Sequence, residues 1–141
     1  MSVFSHPVLV RWSDIDSYDH VNNVRYFDYL QEARIAFLAE IFGLGAEDLF
    51  TSSPVVLAGQ TVDYLRPILL RHPPYVVDLW VESVGTSSFT LAAKIVDRVD
   101  GSELVYAKAS SVLVAVTADT HTKRPLTDTE RAALVGRISA A

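Results

Sequence analysis

The stretch 22–42 contains neither glycine nor proline, and within it Tyr26, Leu30, Ala33, Phe37 and Ile41 recur at spacings of three or four. That period predicts an α-helix. Its second half, Ile35-Ala36-Phe37-Leu38-Ala39-Glu40-Ile41-Phe42, is apolar almost all the way round. A surface helix does not tolerate this, so something must cover it on most sides. Asn22 or Asn23 offers an N-cap, and Gly43 stands where a glycine would end the helix.

The remaining segments supply the cover. Residues 8–12 are rich in β-formers and run into a polar loop, 13–20. After an irregular stretch through Ser53, residues 55–65, 75–84, 88–97 and 104–116 read as strands. The third alternates cleanly, with Phe89, Leu91, Ala93 and Ile95 on one face. Turn signals separate them: Arg66-Pro67 with Pro73-Pro74, then Gly85-Thr86-Ser87, then Asp100-Gly101. The Asp-Gly pair implies a hairpin, so at least the last two strands are antiparallel. Thr117 to Pro125 is polar, and 127–138 predicts a terminal helix with Thr127 as N-cap and Glu130 completing a capping box.

The fold class that follows is α+β: a curved antiparallel sheet of about five strands wrapped around one long central helix, in a single domain over 1–141. Such a sheet leaves edges, and pairing with a second copy removes them, so a homodimer or homotetramer is expected.

Composition narrows the function. Among 141 residues, 12 Lys plus Arg against 17 Asp plus Glu give a formal net charge of −5, which disfavours nucleic acid as a partner. There is no cysteine, which removes thiol nucleophiles, Cys-ligated zinc and disulfide scaffolds. His6, His20, His72 and His121 are dispersed without metal-ligand spacing, so no metal site and no cofactor is expected. No apolar run approaches the roughly 20 residues of a membrane span, and the N-terminal residues do not read as a secretory signal; a cytoplasmic address is the expectation. Gly43-Leu44-Gly45 follows a helix rather than a strand and is a helix exit, not a nucleotide loop.

The segment Arg11-Trp12-Ser13-Asp14-Ile15-Asp16-Ser17-Tyr18-Asp19-His20-Val21-Asn22-Asn23 gathers three carboxylates, a histidine and two amides between a strand end and a helix start. Asp and Asn there are ordinary loop formers and caps. The helix behind them also presents free backbone N–H groups and the positive end of a dipole, which can hold an oxyanion. A carboxylate a few residues upstream could act on a carbonyl whose oxygen points into that helix end.

The chain resembles the hotdog-fold acyl-CoA thioesterases of the 4-hydroxybenzoyl-CoA thioesterase-like family over nearly its whole length. The resemblance rests on Arg11-Trp12-Ser13-Asp14-Ile15-Asp16, His20-Val21-Asn22-Asn23 with Tyr26-Phe27 and Glu32-Ala33-Arg34, and Tyr64-Leu65-Arg66-Pro67. Gly85-Thr86-Ser87-Ser88-Phe89-Thr90 and Lys123-Arg124-Pro125-Leu126 extend it; order and spacing together are specific.

The resemblance implies that Asp16 is the catalytic aspartate, as nucleophile or as general base on water. Asn23 falls where the family uses a backbone N–H at the helix start as oxyanion donor. His20 and Asn22 would either orient the carbonyl or the water or serve as capping and packing groups, and Asp14 is structural. The His-Val-Asn-Asn segment resembles the broader acyl-CoA group rather than the hydroxybenzoyl-specific enzymes. A thiolate whose conjugate acid has a pKa near ~8.5 leaves without a strong general acid, so one carboxylate and one oxyanion hole suffice. An acyl-CoA partner also carries phosphates, for which Arg66, Lys123, Arg124 and the Thr86-Ser87-Ser88 turn are candidates, with Tyr26 in the substrate site. The rival readings are a hotdog hydratase, which generally uses a different Asp and His motif, and a non-catalytic acyl-thioester binder.

Overall fold

The computed structural model describes residues 3–139. Five strands, β1 (Phe4–Val8), β2 (Val55–Tyr64), β3 (Tyr75–Val84), β4 (Ser88–Val99) and β5 (Ser102–Ala115), form one sheet in the order β1-β3-β4-β5-β2, with every pairing antiparallel. Register shifts at Leu57/Gly59, Val81/Ser83 and Ile95/Val96 mark bulges, which bend strands and raise their twist, and the sheet is curved. Its helices are α1 (Arg25–Phe42), α2 (Leu49–Ser52) and α3 (Asp128–Val135).

The apolar period of α1 is used on its inner face. Leu30, Ala33 and Phe37 are buried against Val77, Leu79 and Val81 of β3, Phe89, Leu91 and Ile95 of β4, and Leu134 of α3. Each large apolar side chain so enclosed contributes about 1.5–3 kcal/mol. A single copy does not enclose the 18-residue helix: Ile35, Ile41 and Phe42 stay half-buried, and Phe27 is 39% exposed. Gly43 ends α1 in the left-handed region at φ 66°, a conformation glycine adopts without strain.

The Asp100-Gly101 pair turns β4 into β5 with φ of 50° and 78°, the two positive angles of a type I′ hairpin. Thr127 accepts from the Glu130 N–H while the Glu130 carboxylate accepts from the Thr127 N–H, the capping box expected at α3.

The strand limits of β2, β4 and β5 shift by one or two residues from the sequence reading, and three other boundaries differ from it. The first strand lies at Phe4–Val8 rather than 8–12, and Trp12–Asp14 is a short 3₁₀ turn. Pairing with β3 decides this, and β1 is an edge strand, where Pro7 is tolerated. The N-cap of α1 is Val24 rather than Asn22 or Asn23. Asn22 still serves the helix start, because its Oδ1 accepts from the Val24 N–H (2.9 Å) and its carbonyl from Arg25 (2.9 Å). α3 ends at Val135, short of 138.

Candidate active site

The loop before α1 is locked by its own backbone. Ile15 bridges Val21, the Asp16 N–H donates to the His20 carbonyl (3.2 Å), and Asp19 returns to the Asp16 carbonyl (3.1 Å) with φ 65°. Aspartate tolerates that left-handed turn better than most residues. The reversal is then pinned to the body of the protein by Val21 N–H to Ile68 O (2.8 Å) and Asn22 N–H to Asp14 O (2.9 Å).

The two flanking aspartates have different surroundings. Asp14 is 1% exposed and accepts from the Arg11 N–H (3.0 Å), the Arg11 guanidinium (2.9 Å) and the Tyr29 hydroxyl (2.6 Å). Burial alone would raise its pKa, but the bonds from Tyr29 and Arg11 outweigh it and hold the carboxyl below its ordinary value. Burial likewise drives the Tyr29 hydroxyl up, reinforced by its bond to Asp14. Asp14 is a structural anion that ties this loop to α1. Asp16 is half-buried, with Oδ1 accepting from the Tyr18 N–H (2.9 Å) and Oδ2 from Asn22 Nδ2 (3.2 Å). Each oxygen keeps capacity for another partner.

Asp16 faces a cleft of about 430 Å³ lined also by His20, Asn23, Tyr26, Tyr64 and Arg66. Val24 and Arg25 have their N–H groups satisfied by Asn22, which leaves the Asn23 N–H without a partner among the described residues. Asp16, with its carboxylate, and Asn23, with an N–H that has no partner among the described residues, thus line one cleft beside the start of α1. Its far wall is the end of β2: the Tyr64 hydroxyl donates to the Asn23 carbonyl (3.0 Å) and its ring meets Tyr26 edge-on at 4.9 Å. Tyr26 accepts from the Ile68 N–H (3.4 Å), and burial raises its pKa. His20 lies in the cleft with its ring stacked on Tyr18 at 6.3 Å.

The structure thus gathers Asp16, His20, Asn22, Asn23, Tyr26 and Arg66. It sets the other candidates apart. The Thr86-Ser87-Ser88 turn joins β3 to β4 near the Val55 end of β2, where Ala115 N–H bonds Ser87 O (2.8 Å) and Leu126 N–H bonds Thr86 O (2.9 Å). Tyr64 lies at the other end of β2, about 30 Å away at 3.3 Å per residue. Lys123 is exposed at that distant end, bridged to Val116. Arg124 spends its five N–H groups on Glu130, Pro54 O, Val116 O and Pro125 O, which leaves none to meet a phosphate directly. Tyr64 was absent from the sequence-derived site candidates, although the Tyr64-Leu65-Arg66-Pro67 segment carries part of the family resemblance. Among the described residues there is no cluster of three or more His, Asp or Glu side chains fit to hold a metal, and no helix long and apolar enough to cross a membrane.

Comparison with known proteins shows the family. The family model described as the thioesterase-like superfamily matches residues 10–134. A Bacillus subtilis (strain 168) protein, YsmA, is 34% identical over 88 residues, a match covering 62% of this chain and 57% of that relative's length. The structure of a thioesterase-superfamily protein of Jannaschia sp. CCS1 superposes with a TM-score of 0.87 at 26% identity, covering 99% of this chain and 95% of that one. That of a Thermus thermophilus thioesterase complexed with coenzyme A and Zn gives 0.78 at 28% identity, covering 96% and 93%. This chain is a hotdog-fold member of the thioesterase-like superfamily.

Proposed function

We propose that the protein is an acyl-CoA thioesterase, hydrolysing the thioester to a free acid and CoA. The observation that carries the reading is the Asp16 carboxylate sharing a cleft with the unpartnered Asn23 N–H at the mouth of α1. The thioester carbonyl oxygen docks at that N–H, where the helix dipole favours developing negative charge. Asp16 takes a proton from water as the water oxygen attacks the carbonyl carbon. The tetrahedral oxyanion collapses, the carbon–sulfur bond breaks, and the proton held on Asp16 passes to the departing thiolate. His20 and Asn22 orient the water and the carboxylate, and Tyr26 forms the cleft floor.

Assembly gives the distant candidates a role. β2 is an exposed edge strand, with Val56 41% and Leu57 43% exposed. Antiparallel pairing of two β2 edges about a two-fold axis sets the Val55 end of one copy beside the Tyr64 end of the other. A second copy's Thr86-Ser87-Ser88 turn and Lys123 then approach the Arg66 side of the cleft, two strands in from the edge, about 10 Å. Arg66, Lys123 and the turn meet the CoA phosphates, while Arg124 braces the Lys123 segment. The same pairing covers the half-buried side of α1 and makes it the central helix of the assembly.

The test is a hydrolysis screen over acyl-CoA chain lengths, run beside the matching acyl-pantetheine esters. Release of free thiol from acyl-CoA, with a lower KM than for acyl-pantetheine, is the expected result. Tight binding without release of thiol would leave a thioester-binding protein, and equal KM for both esters would remove the phosphate contacts.

A further inference from the structure

A second cavity, of about 470 Å³, lies beside the middle of α1, where Ile35, Leu38, Leu49, Val55, Leu57 and Leu113 give it an apolar lining. Arg34 also lines it. This residue is only 8% exposed, and among the described residues its guanidinium has no hydrogen-bond or ion-pair partner. Glu47 is the one carboxylate on the cavity wall; it is exposed and makes no bond to Arg34. The guanidinium nitrogens keep some contact with solvent, and the apolar lining beside them offers that charge no counter-ion. The missing component is an anion.

The position of Arg34 says how such an anion arrives. Phe27, Gln31, Arg34 and Leu38 fall on one stripe of α1, since residues three and four apart are neighbours, and Asn23 precedes the helix just before that stripe. The stripe starts at the mouth of α1, where the thioester carbonyl is placed above, and Phe27 and Gln31 along it are exposed in one copy. The helix rises about 14 Å from Arg25 to Arg34, and the arginine side chain leans back over the preceding turn, which leaves roughly 8–10 Å. An extended eight-carbon acyl chain spans about 9 Å at ~1.3 Å per bond.

We propose that Arg34 recognises a carboxylate at the far end of the acyl group, so that the substrates are acyl-CoA esters of dicarboxylic acids, a reading that rests on the hydrolase function above. The apolar wall takes the methylene chain. The planar guanidinium takes the terminal carboxylate in a two-pronged bond that a lysine would not reproduce.

The test is calorimetric titration of the Asp16→Asn chain, whose turnover is slowed by the loss of the base, with suberoyl-CoA and octanoyl-CoA. These differ only in the terminal carboxylate. Suberoyl-CoA should bind about 10- to 100-fold more tightly, the discrimination of a site built around a buried charged group. Adding Arg34→Met should erase the difference, and Arg34→Lys should keep part of it. Equal affinity for the two esters in the Asp16→Asn chain overturns the proposal without any Arg34 variant. Equal loss of both affinities in Arg34→Met, or a halved particle mass by light scattering, also overturns it, because Arg34 would then brace the contact between copies. Thiol release by the unaltered chain is read separately: preference for suberoyl-CoA in binding, with no release from either ester, upholds the Arg34 site and refutes the hydrolase.

Discussion

Asp14→Asn isolates the charge that fixes the loop before α1, because Asp14 is buried and bound by three donors from Arg11 and Tyr29. The Tyr29 hydroxyl bond is charge-assisted and buried, a class contributing about 1.5–3 kcal/mol. The Arg11 guanidinium is 61% exposed, so solvent screens its ion pair and it adds little. An amide keeps some of these bonds, which brings the expected loss to about 2–3 kcal/mol at neutral pH. For a chain of this length that lowers Tm by roughly 6–9 °C.

The pH dependence carries a sign. The folded Asp14 pKa lies below its unfolded value, so its stabilisation is fully present above the unfolded pKa of about 3.9 and fades as pH falls through the folded pKa. Urea unfolding at fixed protein concentration, at pH 7 and near pH 3.5, reads both effects. The gap between parent and variant should shrink on acidification. A variant as stable as the parent at pH 7, or a gap that is the same at both values, would refute the charge-based account of this loop.

Breaking the Arg124–Glu130 pair by Arg124→Met strands a carboxylate that is 5% exposed and should cost about 3–5 kcal/mol by urea unfolding, with KM for acyl-CoA little changed in the folded fraction. A rise in KM with stability preserved would return Arg124 to the phosphate site. Charges on the β2 edge, Val56→Lys with Leu57→Lys, should halve the particle mass by light scattering and abolish thiol release together. A variant that is monomeric and fully active would refute the two-copy cleft.

Much of the fold was legible because its signals are local. The Asp100-Gly101 turn, the Thr127/Glu130 capping box, Gly43 and the alternation Phe89-Leu91-Ala93-Ile95 each act within a few residues, and each appears as read. β1 was misplaced because its position depends on pairing with residues about 70 positions later, and Ser5, His6 and Pro7 carry little strand signal of their own. At the site, the loop and helix mouth were legible because Asp16, His20, Asn22 and Asn23 are close in sequence. Tyr64 was not, since its bond to Asn23 spans the whole of α1 and β2. Arg34 entered the sequence reading only within the Glu32-Ala33-Arg34 segment of the family resemblance; its burial without a partner is visible only in the fold. The separation of Thr86, Ser87, Ser88 and Lys123 from the cleft follows from strand order, which no local pattern encodes.

The most direct test of the account is the turnover of Asp16→Asn. The amide keeps the shape of the side chain and can still accept from Tyr18 N–H, so the variant should fold with Tm close to the parent. Its kcat for acyl-CoA hydrolysis should fall about 10²- to 10⁴-fold with KM little changed, the loss expected when a positioned base is removed. An Asp16→Asn protein that releases CoA thiol at close to the parent rate would contradict the assignment of this cleft as the catalytic centre.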